Sequence, residues 1–192
     1  MKNEYFFARH GRSLANEQGI ILSDPVQGIA GFGLTEEGRA QVRVSIEGAK
    51  EKYALDAATS IISSDFLRAR ETAESIADVL GVSHTQIEFS QNLRERYFGD
   101  WEQTPDTNYP KVWYHDQHDA NSTEDGVESV NSVLARMKKL IAELEERYAG
   151  KKIILISHGD PLQILQASFE HIPVAEHNTV TLLRTGEIRK VE

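Results

Sequence analysis

Arg9, His10 and Gly11 stand side by side directly after the apolar run Tyr5-Phe6-Phe7-Ala8. Such a run reads as the first strand of a buried sheet, so the triplet falls where that strand stops, and in open α/β folds ligands bind at such strand ends. Arg offers a charged fork, Gly lets a backbone come close, and His can attack or protonate; together they suit an anionic ligand, phosphate above all. Alone, an Arg-His-Gly triplet is short enough to be a surface turn. Its weight depends on what the other strand ends carry.

Three further junctions carry matching chemistry. After Thr59-Ser60-Ile61-Ile62 comes Ser63-Ser64-Asp65-Phe66-Leu67-Arg68, which places Arg68 in the first turns of a helix whose positive end would face a bound anion. After Ile87-Glu88-Phe89 comes Arg94-Glu95-Arg96, a carboxylate between two cations. After Ile153-Ile154-Leu155-Ile156 comes Ser157-His158-Gly159-Asp160, a second His-Gly pair. Read singly, Arg68 pairs with Glu71 or Glu74, Glu95 is a surface salt-bridge partner and His158 is a capping histidine. Gathered on one edge of one sheet, they make a site.

The elements that must position them alternate along the chain. Strands are expected at Glu4 to Ala8, Thr59 to Ser63, Gln86 to Phe89, Ile153 to Ser157 and Thr179 to Leu183, with an edge strand at Ile188 to Val191. A helix starts at Thr35 as N-cap and carries Ala40, Val42, Val44 and Ile46. Another starts at Ser64 or Asp65 and is stopped by Gly81. Glu128 to Tyr148 repeats apolar residues at helical spacing, and Gly159 to Phe169 has Pro161 in its first turn. This alternation predicts a three-layer α/β/α sandwich with a mainly parallel central sheet, a single domain over 1–192. The segment 101–126, with Pro105, Pro110 and Trp113 and no strong period, reads as an excursion that selects substrate if it lies over the strand ends.

Composition excludes several classes. A net charge of −9 repels nucleic acid and anionic membranes as general partners, so a basic site has to be a local cluster. There are no cysteines, hence no disulfide framework and no thiolate nucleophile or ligand, which fits a reducing, cytoplasmic compartment. No run approaches a membrane crossing and none resembles a signal peptide. His115-Asp116-Gln117-His118 lacks a third ligand at helical spacing and reads as a solvated loop, so no metal is expected. Trp101 and Trp113 read as packing residues or pocket walls. Neither a P-loop nor a Gly-x-Ser-x-Gly elbow is present.

Taken in order, Arg9-His10-Gly11 with Ser13 and Asn16, Leu34-Thr35-x-x-Gly38, Ser63-Ser64 to Arg68-Ala69 with Thr72-Ala73, Leu93-x-Glu95 with Gly99-x-Trp101-Glu102, Gly126-x-Glu128-Ser129 and Ser157-His158-Gly159 resemble the histidine phosphatase superfamily. The likeness is to the branch that contains cofactor-dependent phosphoglycerate mutase and broad-specificity phosphatases. It implies that His10 is the nucleophile, Arg9 and Arg68 the phosphate clamps, His158 a second imidazole at the phosphate and Glu95 the proton donor to the leaving oxygen. Ser13 and Asn16 fall among the phosphate-binding positions.

Those roles make physical sense. Two Arg and a protonated second His neutralise equatorial phosphate oxygens without metal or cofactor. His10 must attack as neutral imidazole, which is arranged if its other nitrogen donates to a backbone carbonyl. For Arg9 and His10 to reach one phosphate, the strand must end at about Ala8, because regular strand would aim them at opposite faces.

Two positions depart from the family pattern: Arg12 stands where many relatives carry Glu, and Gln103 where many carry Gly. Between Arg96 and Arg136 the one basic residue outside histidine is Lys111. Mutases of the family are expected to draw cations from that region, so the chain reads as a phosphomonoester hydrolase that forms a phosphohistidine and acts on a small phosphorylated metabolite. A phosphoglycerate mutase-type transfer is the alternative, and an inactive phosphate-binding module is a third. The sequence leaves oligomeric state open, with a homo-oligomer allowed.

Overall fold

Tyr5, Phe6, Phe7 and Ala8 are all buried, as befits a strand covered on both faces. In the computed structural model, which describes residues 1–191, this strand is β1 (Glu4–Arg9). It is followed by α1 (Leu14–Gln18), α2 (Pro25–Ala30), α3 (Glu36–Tyr53), β2 (Ser60–Ser63), α4 (Leu67–Leu80) and β3 (Glu88–Phe89). Then come α5 (Tyr109–His118), α6 (Val130–Arg147), β4 (Lys152–Ser157), α7 (Gly159–Phe169) and β5 (Ile188–Lys190). The sheet order is β3-β2-β4-β1-β5, parallel except for β5, which runs antiparallel beside β1. This is the mainly parallel sheet that the alternation of strands and helices predicts. Glu192, the last residue of the expected domain, lies outside the described residues.

Side chains leave each strand on alternate faces, and the two faces collect separate cores. Phe6, Ala8, Ile61, Ile154 and Ile156 pack with α3 and α4 through Val42, Ile46, Ala73 and Ile76. Tyr5, Phe7, Ile62, Ile153 and Leu155 pack with α6 and α7 through Val133, Met137, Leu140 and Leu162. Each fully buried aliphatic or aromatic side chain contributes about 1.5–3 kcal/mol, so the two clusters dominate the stability of the three layers.

Register then places the chemistry. Arg9 of β1 lies opposite Ser157 of β4, and Ser63 of β2 lies opposite Ile156, so three parallel strands end on one line. His10 follows the first end and His158 follows the second. The strand runs one residue beyond the expected stop, through Arg9, and leaves the sheet before Gly11; His10 N–H donates to the Ser157 carbonyl at 3.1 Å. Gly11 is needed there, since a Cβ would lie 2.5 Å from the Gly38 carbonyl oxygen of α3.

Other boundaries shift for identifiable reasons. Residues 84–86 form a 3₁₀ turn, leaving β3 two residues long. The run Thr179 to Leu183 is not a strand: Gln163 donates to the Val180 carbonyl, Arg189 to that of Thr181 and Arg9 to that of Leu183. Side chains donate to the carbonyls that the N–H groups of a neighbouring strand would otherwise donate to. Within 101–126 lies a regular helix, α5, so His115-Asp116-Gln117-His118 is its last turn and not a solvated loop. Among the described residues no helix is long and apolar enough to cross a membrane.

Candidate active site

His10, Arg68, His158 and Glu95 meet where β1, β2 and β4 end, and all four are buried. The His10 Nδ1 lies 2.8 Å from the Gly11 carbonyl oxygen. A carbonyl can only accept, so Nδ1 carries the proton and Nε2 keeps its lone pair. Burial first, and then the Arg68 and Arg9 charges, hold the His10 pKa well below its ordinary value, so the ring is neutral at physiological pH. It is a neutral imidazole whose Nε2 lone pair is fixed in direction, which suits it to nucleophilic attack.

Arg68 is the hub. Its Nε donates to His10 Nε2 at 3.1 Å and to His158 Nδ1 at 3.2 Å, while Nη2 donates to the Leu22 carbonyl at 3.0 Å. Because His158 Nδ1 accepts, its proton sits on Nε2, which donates to Ser64 Oγ at 3.0 Å. The two imidazoles lie edge to face, ring centroids 5.1 Å apart. His158 differs from expectation in one respect. Burial, followed by Arg68 and His10, lowers its pKa well below the usual value, so it is neutral here, and only a nearby anion would favour its protonation.

Glu95 supplies the carboxyl. Its Oε1 accepts from the Arg96 backbone N–H at 3.0 Å, and Oε2 lies 3.8 Å from both Arg68 Nη2 and His158 Nδ1. Burial pushes its pKa up to about 7, Arg68 and Arg9 oppose the rise, and Asp160 adds to it. A group poised there can give up a proton and take one back near neutrality.

Arg9 reaches the same place from β1. Its Nη1 donates to the Leu183 carbonyl at 2.9 Å, and its guanidinium lies so close to Gly159 that a Cβ there would come within 3.2 Å of Arg9 Cζ. That contact explains the glycine after His158. Arg9 Nε and Arg68 Nη1 are buried donors without a partner among the described residues. Orphaned, buried donors on two guanidinium groups are what an anion would satisfy.

Ser13 and Asn16 are placed differently. They cap α1 reciprocally, with Asn16 Oδ1 accepting from the Ser13 N–H and hydroxyl at 3.1 and 2.9 Å and Ser13 Oγ accepting from the Asn16 N–H at 3.3 Å. The oxygen of Asn16 is thereby occupied by the cap.

Several supporting residues escaped sequence reasoning. Thr72 Oγ1 accepts from the Gly11 N–H and donates to the Arg68 carbonyl, joining the segments that carry His10 and Arg68. Arg136 of α6 donates to the carbonyls of Asn92 and Glu95 and pairs with Glu128 at 2.9 Å, fixing the loop that carries Glu95. Tyr109, at the start of α5, stacks on Trp113 with centroids 5.7 Å apart and meets Phe98 edge-on. Its hydroxyl pKa is raised by burial and by Glu95 and Asp160, with Arg68 and Arg9 opposing, so it stays a donor. Thr72 lay within a quoted motif; Tyr109 carried no local signal.

Comparisons with known proteins identify the family. Residues 5–192 match the family described as histidine phosphatase superfamily (branch 1). The chain is 28% identical over 178 residues to the Photorhabdus laumondii protein named "Probable phosphoglycerate mutase GpmB", covering 88% of this chain and 76% of that one. It resembles the mycobacterial glucosyl-3-phosphoglycerate phosphatase solved with VO3 at a TM-score of 0.78 and 26% identity, over 97% of this chain and 91% of that one. The α-ribazole phosphatase of Shigella flexneri, at 22% identity and a TM-score of 0.74 over 98% and 90% of the two chains, shares the fold. The chain belongs to the histidine phosphatase superfamily, branch 1.

Proposed function

We propose that the protein hydrolyses small phosphate monoesters through a phosphohistidine on His10, without metal. One observation carries this reading: the unpartnered donors Arg9 Nε and Arg68 Nη1 are buried beside a neutral His10 whose Nε2 lone pair is free of a proton. Two arginine charges match a phosphate dianion, and neither needs a metal to neutralise it.

The steps follow from the groups in place. As substrate binds, Arg68 Nε moves from the His10 ring to a phosphate oxygen, and the His10 Nε2 lone pair attacks phosphorus. The P–O ester bond breaks, and Glu95, protonated below about pH 7, hands its proton to the leaving oxygen. Water then attacks the phosphohistidine, Glu95 takes a proton from it, and the P–N bond breaks to release phosphate and neutral His10. The incoming dianion raises the pKa of His158, so that this imidazole can become a further donor to the oxygens.

Phosphatase is favoured over mutase by the segment 101–126. Its one lysine, Lys111, lies over the Trp101 ring with Nζ 5.2 Å from the centroid, and it supplies no arginine. A mutase must hold a second anionic group while the phosphohistidine waits. The mutase reading has support of its own, because curated relatives carry that name. A panel of phosphate monoesters incubated in chelator, with free phosphate followed, separates the two. Phosphate release is the expected result; an isomerised product without free phosphate establishes the mutase, and turnover only with added metal refutes the scheme.

A further inference from the structure

We propose that Glu102 is a positioning residue for Arg68: its carboxylate grips the N–H side of the Leu22–Ser23 peptide, whose carbonyl side holds the Arg68 guanidinium. The inference rests on the reading of Arg68 as a phosphate clamp. Nothing in that reading requires Glu102, which follows Trp101 at the start of the 101–126 segment.

A guanidinium is planar, so bonds at two of its nitrogens fix the direction of the third. Arg68 Nε donates to both imidazoles, and Nη2 donates to the Leu22 carbonyl at 3.0 Å. Glu95 Oε2, at 3.8 Å from Nη2, is too far to share that role. The aim of Nη1, the orphaned donor, is therefore set in part by where the Leu22 carbonyl points. That carbonyl and the Ser23 N–H belong to one planar trans peptide and point in opposite directions. The Ser23 N–H donates to Glu102 Oε1 at 2.9 Å and to Oε2 at 3.0 Å, so a carboxylate stands on one side of the peptide and a guanidinium on the other. Turned over, the peptide would aim its carbonyl at the anion and its N–H at the cation. An ionised acceptor on the N–H also polarises the peptide and strengthens the bond that its carbonyl makes.

The surrounding bonds keep Glu102 in register. Ser23 Oγ bonds to Glu102 Oε1 and accepts from the Phe98 N–H at 2.8 Å, which ties the chain just beyond Glu95 to the same carboxylate. The Ile21 N–H donates to the Thr104 carbonyl and the Gln103 N–H to the Ile21 carbonyl, both at 2.9 Å. Gln103, one of the two positions that depart from the family pattern, has a φ of 59°. Such a conformation is uncommon outside glycine and persists where neighbours hold it. Here the backbone bond to Ile21 and a side-chain bond to Gln27 of α2 at 3.0 Å do so. Leu22 and Ser23 are buried, so removal of Glu102 leaves an unsatisfied N–H and a peptide free to turn.

The test follows the Arg68 Nε–H signal by ¹⁵N NMR in full-length protein labelled on arginine, with Arg68→Met assigning it, beside steady-state kinetics on an alkyl phosphate. In Glu102→Ala the exchange of that proton with water is expected to quicken about tenfold, and kcat to fall about tenfold with a smaller change in KM, because Arg9 still binds the phosphate while the clamp is misaligned. Glu102→Gln can still accept from the Ser23 N–H and is expected to keep both readouts near wild type. Asp24→Ala removes the bond of 2.8 Å that caps α2, one residue beyond Ser23, and is expected to lower the melting temperature while leaving both readouts unchanged. Unchanged exchange and kcat in Glu102→Ala overturn the proposal. A Glu102→Gln variant as impaired as Glu102→Ala also overturns it, since charge and not the bonded peptide would then be the link, and so does an equal effect in Asp24→Ala, since general loosening of the loop would then suffice. Should Glu102→Ala not fold, Glu102→Asp, whose carboxylate is one methylene short of the peptide, carries the same expectation. Failure of the underlying reading is separate: Arg68→Met with full turnover would refute the clamp and leave the exchange result standing.

Discussion

Two buried polar clusters lie side by side in this fold, and both are built from arginine, carboxylate and histidine. Around Arg96 every charge has a partner: Asp116 and Asp160 take up the guanidinium, and His177 pairs with Asp160 at 3.1 Å. Around Arg68 the balance is different. Two guanidiniums face two neutral imidazoles and a carboxyl that titrates near 7, and two of their N–H groups lack partners among the described residues. A satisfied cluster costs little to keep buried and does nothing chemically, whereas a cluster with surplus positive charge is destabilised until an anion arrives. The difference between a structural ion network and a binding site is thus visible as unfinished hydrogen bonding, not as residue type. A broad groove between α3 and residues 181–189 contains none of these groups.

The sharpest break of that comparison is at the nucleophile. His10→Ala is expected to reduce phosphate release by ~10⁴-fold or more, because it removes the atom that forms the covalent intermediate. Stopped reactions with ³²P-labelled ester should show no acid-labile phosphoprotein, and retention of such an adduct would place the nucleophile elsewhere. Next come the two arginines, exchanged for a side chain of similar length. Arg68→Met is expected to lower kcat/KM by ~10²–10³-fold, as loss of a preorganised donor does, with little change in thermal stability. Arg96→Met is expected to do the reverse and destabilise the fold by about 3–5 kcal/mol, because Asp116 and Asp160 lose their cation. Parallel melting curves and kinetics on both variants would dissolve the distinction if the two behaved alike.

Glu95 connects activity to stability with a defined sign. Its folded pKa is about 7 against an ordinary 4.5, so its contribution to stability is present below pH 4.5 and is lost as pH rises through 7. A difference of that size corresponds to about 3 kcal/mol. Glu95→Gln is therefore expected to match wild type in denaturant titrations at pH 4.5 and to exceed it at pH 8. The same variant should lose ~10²-fold or more on an alkyl phosphate and much less in the first half-reaction of an aryl phosphate, whose leaving oxygen needs no proton. Equal losses on both esters would assign Glu95 a role other than proton transfer.

How far the chain could be read in advance follows from the range of the interactions involved. The three central parallel strands announce themselves because each is a short apolar run and each long helix repeats its apolar residues, and both are local patterns. His10 and His158 were legible because each directly follows such a run, and Arg68 and Glu95 because each lies within six residues of the end of one. The helix α5 was not: Val112 and Asp116 are its buried residues, and Asp116 is buried only because Arg96, twenty positions earlier, neutralises it. No periodicity can report a polar residue turned inward for a distant partner. The 179–183 run failed in the opposite way, since its apolar pattern is real but Gln163, Arg189 and Arg9 take the carbonyls a strand would need. His10 Nδ1 was legible because its partner is its neighbour's carbonyl, while the protonation of His158 was not, since it depends on Arg68 and on burial that only the fold supplies.

The smallest expected effect tests whether α5 contributes charge to the substrate. Lys111 is exposed, and its ammonium rests over Trp101, a contact worth about 0.5–1 kcal/mol at such sites. If the cation serves that ring, Lys111→Met should change kcat/KM by about twofold or less for every monoester and lower stability only by that contact. Substrates that differ by one carboxylate make the comparison decisive: a glycerol phosphate reports the phosphate site alone, and a phosphoglycerate adds the second anion. A loss confined to the carboxylated substrate would mean that Lys111 swings from Trp101 to hold it. The excursion would then supply the second anion site that a mutase needs, and the preference for hydrolysis would have to rest on how water reaches the phosphohistidine.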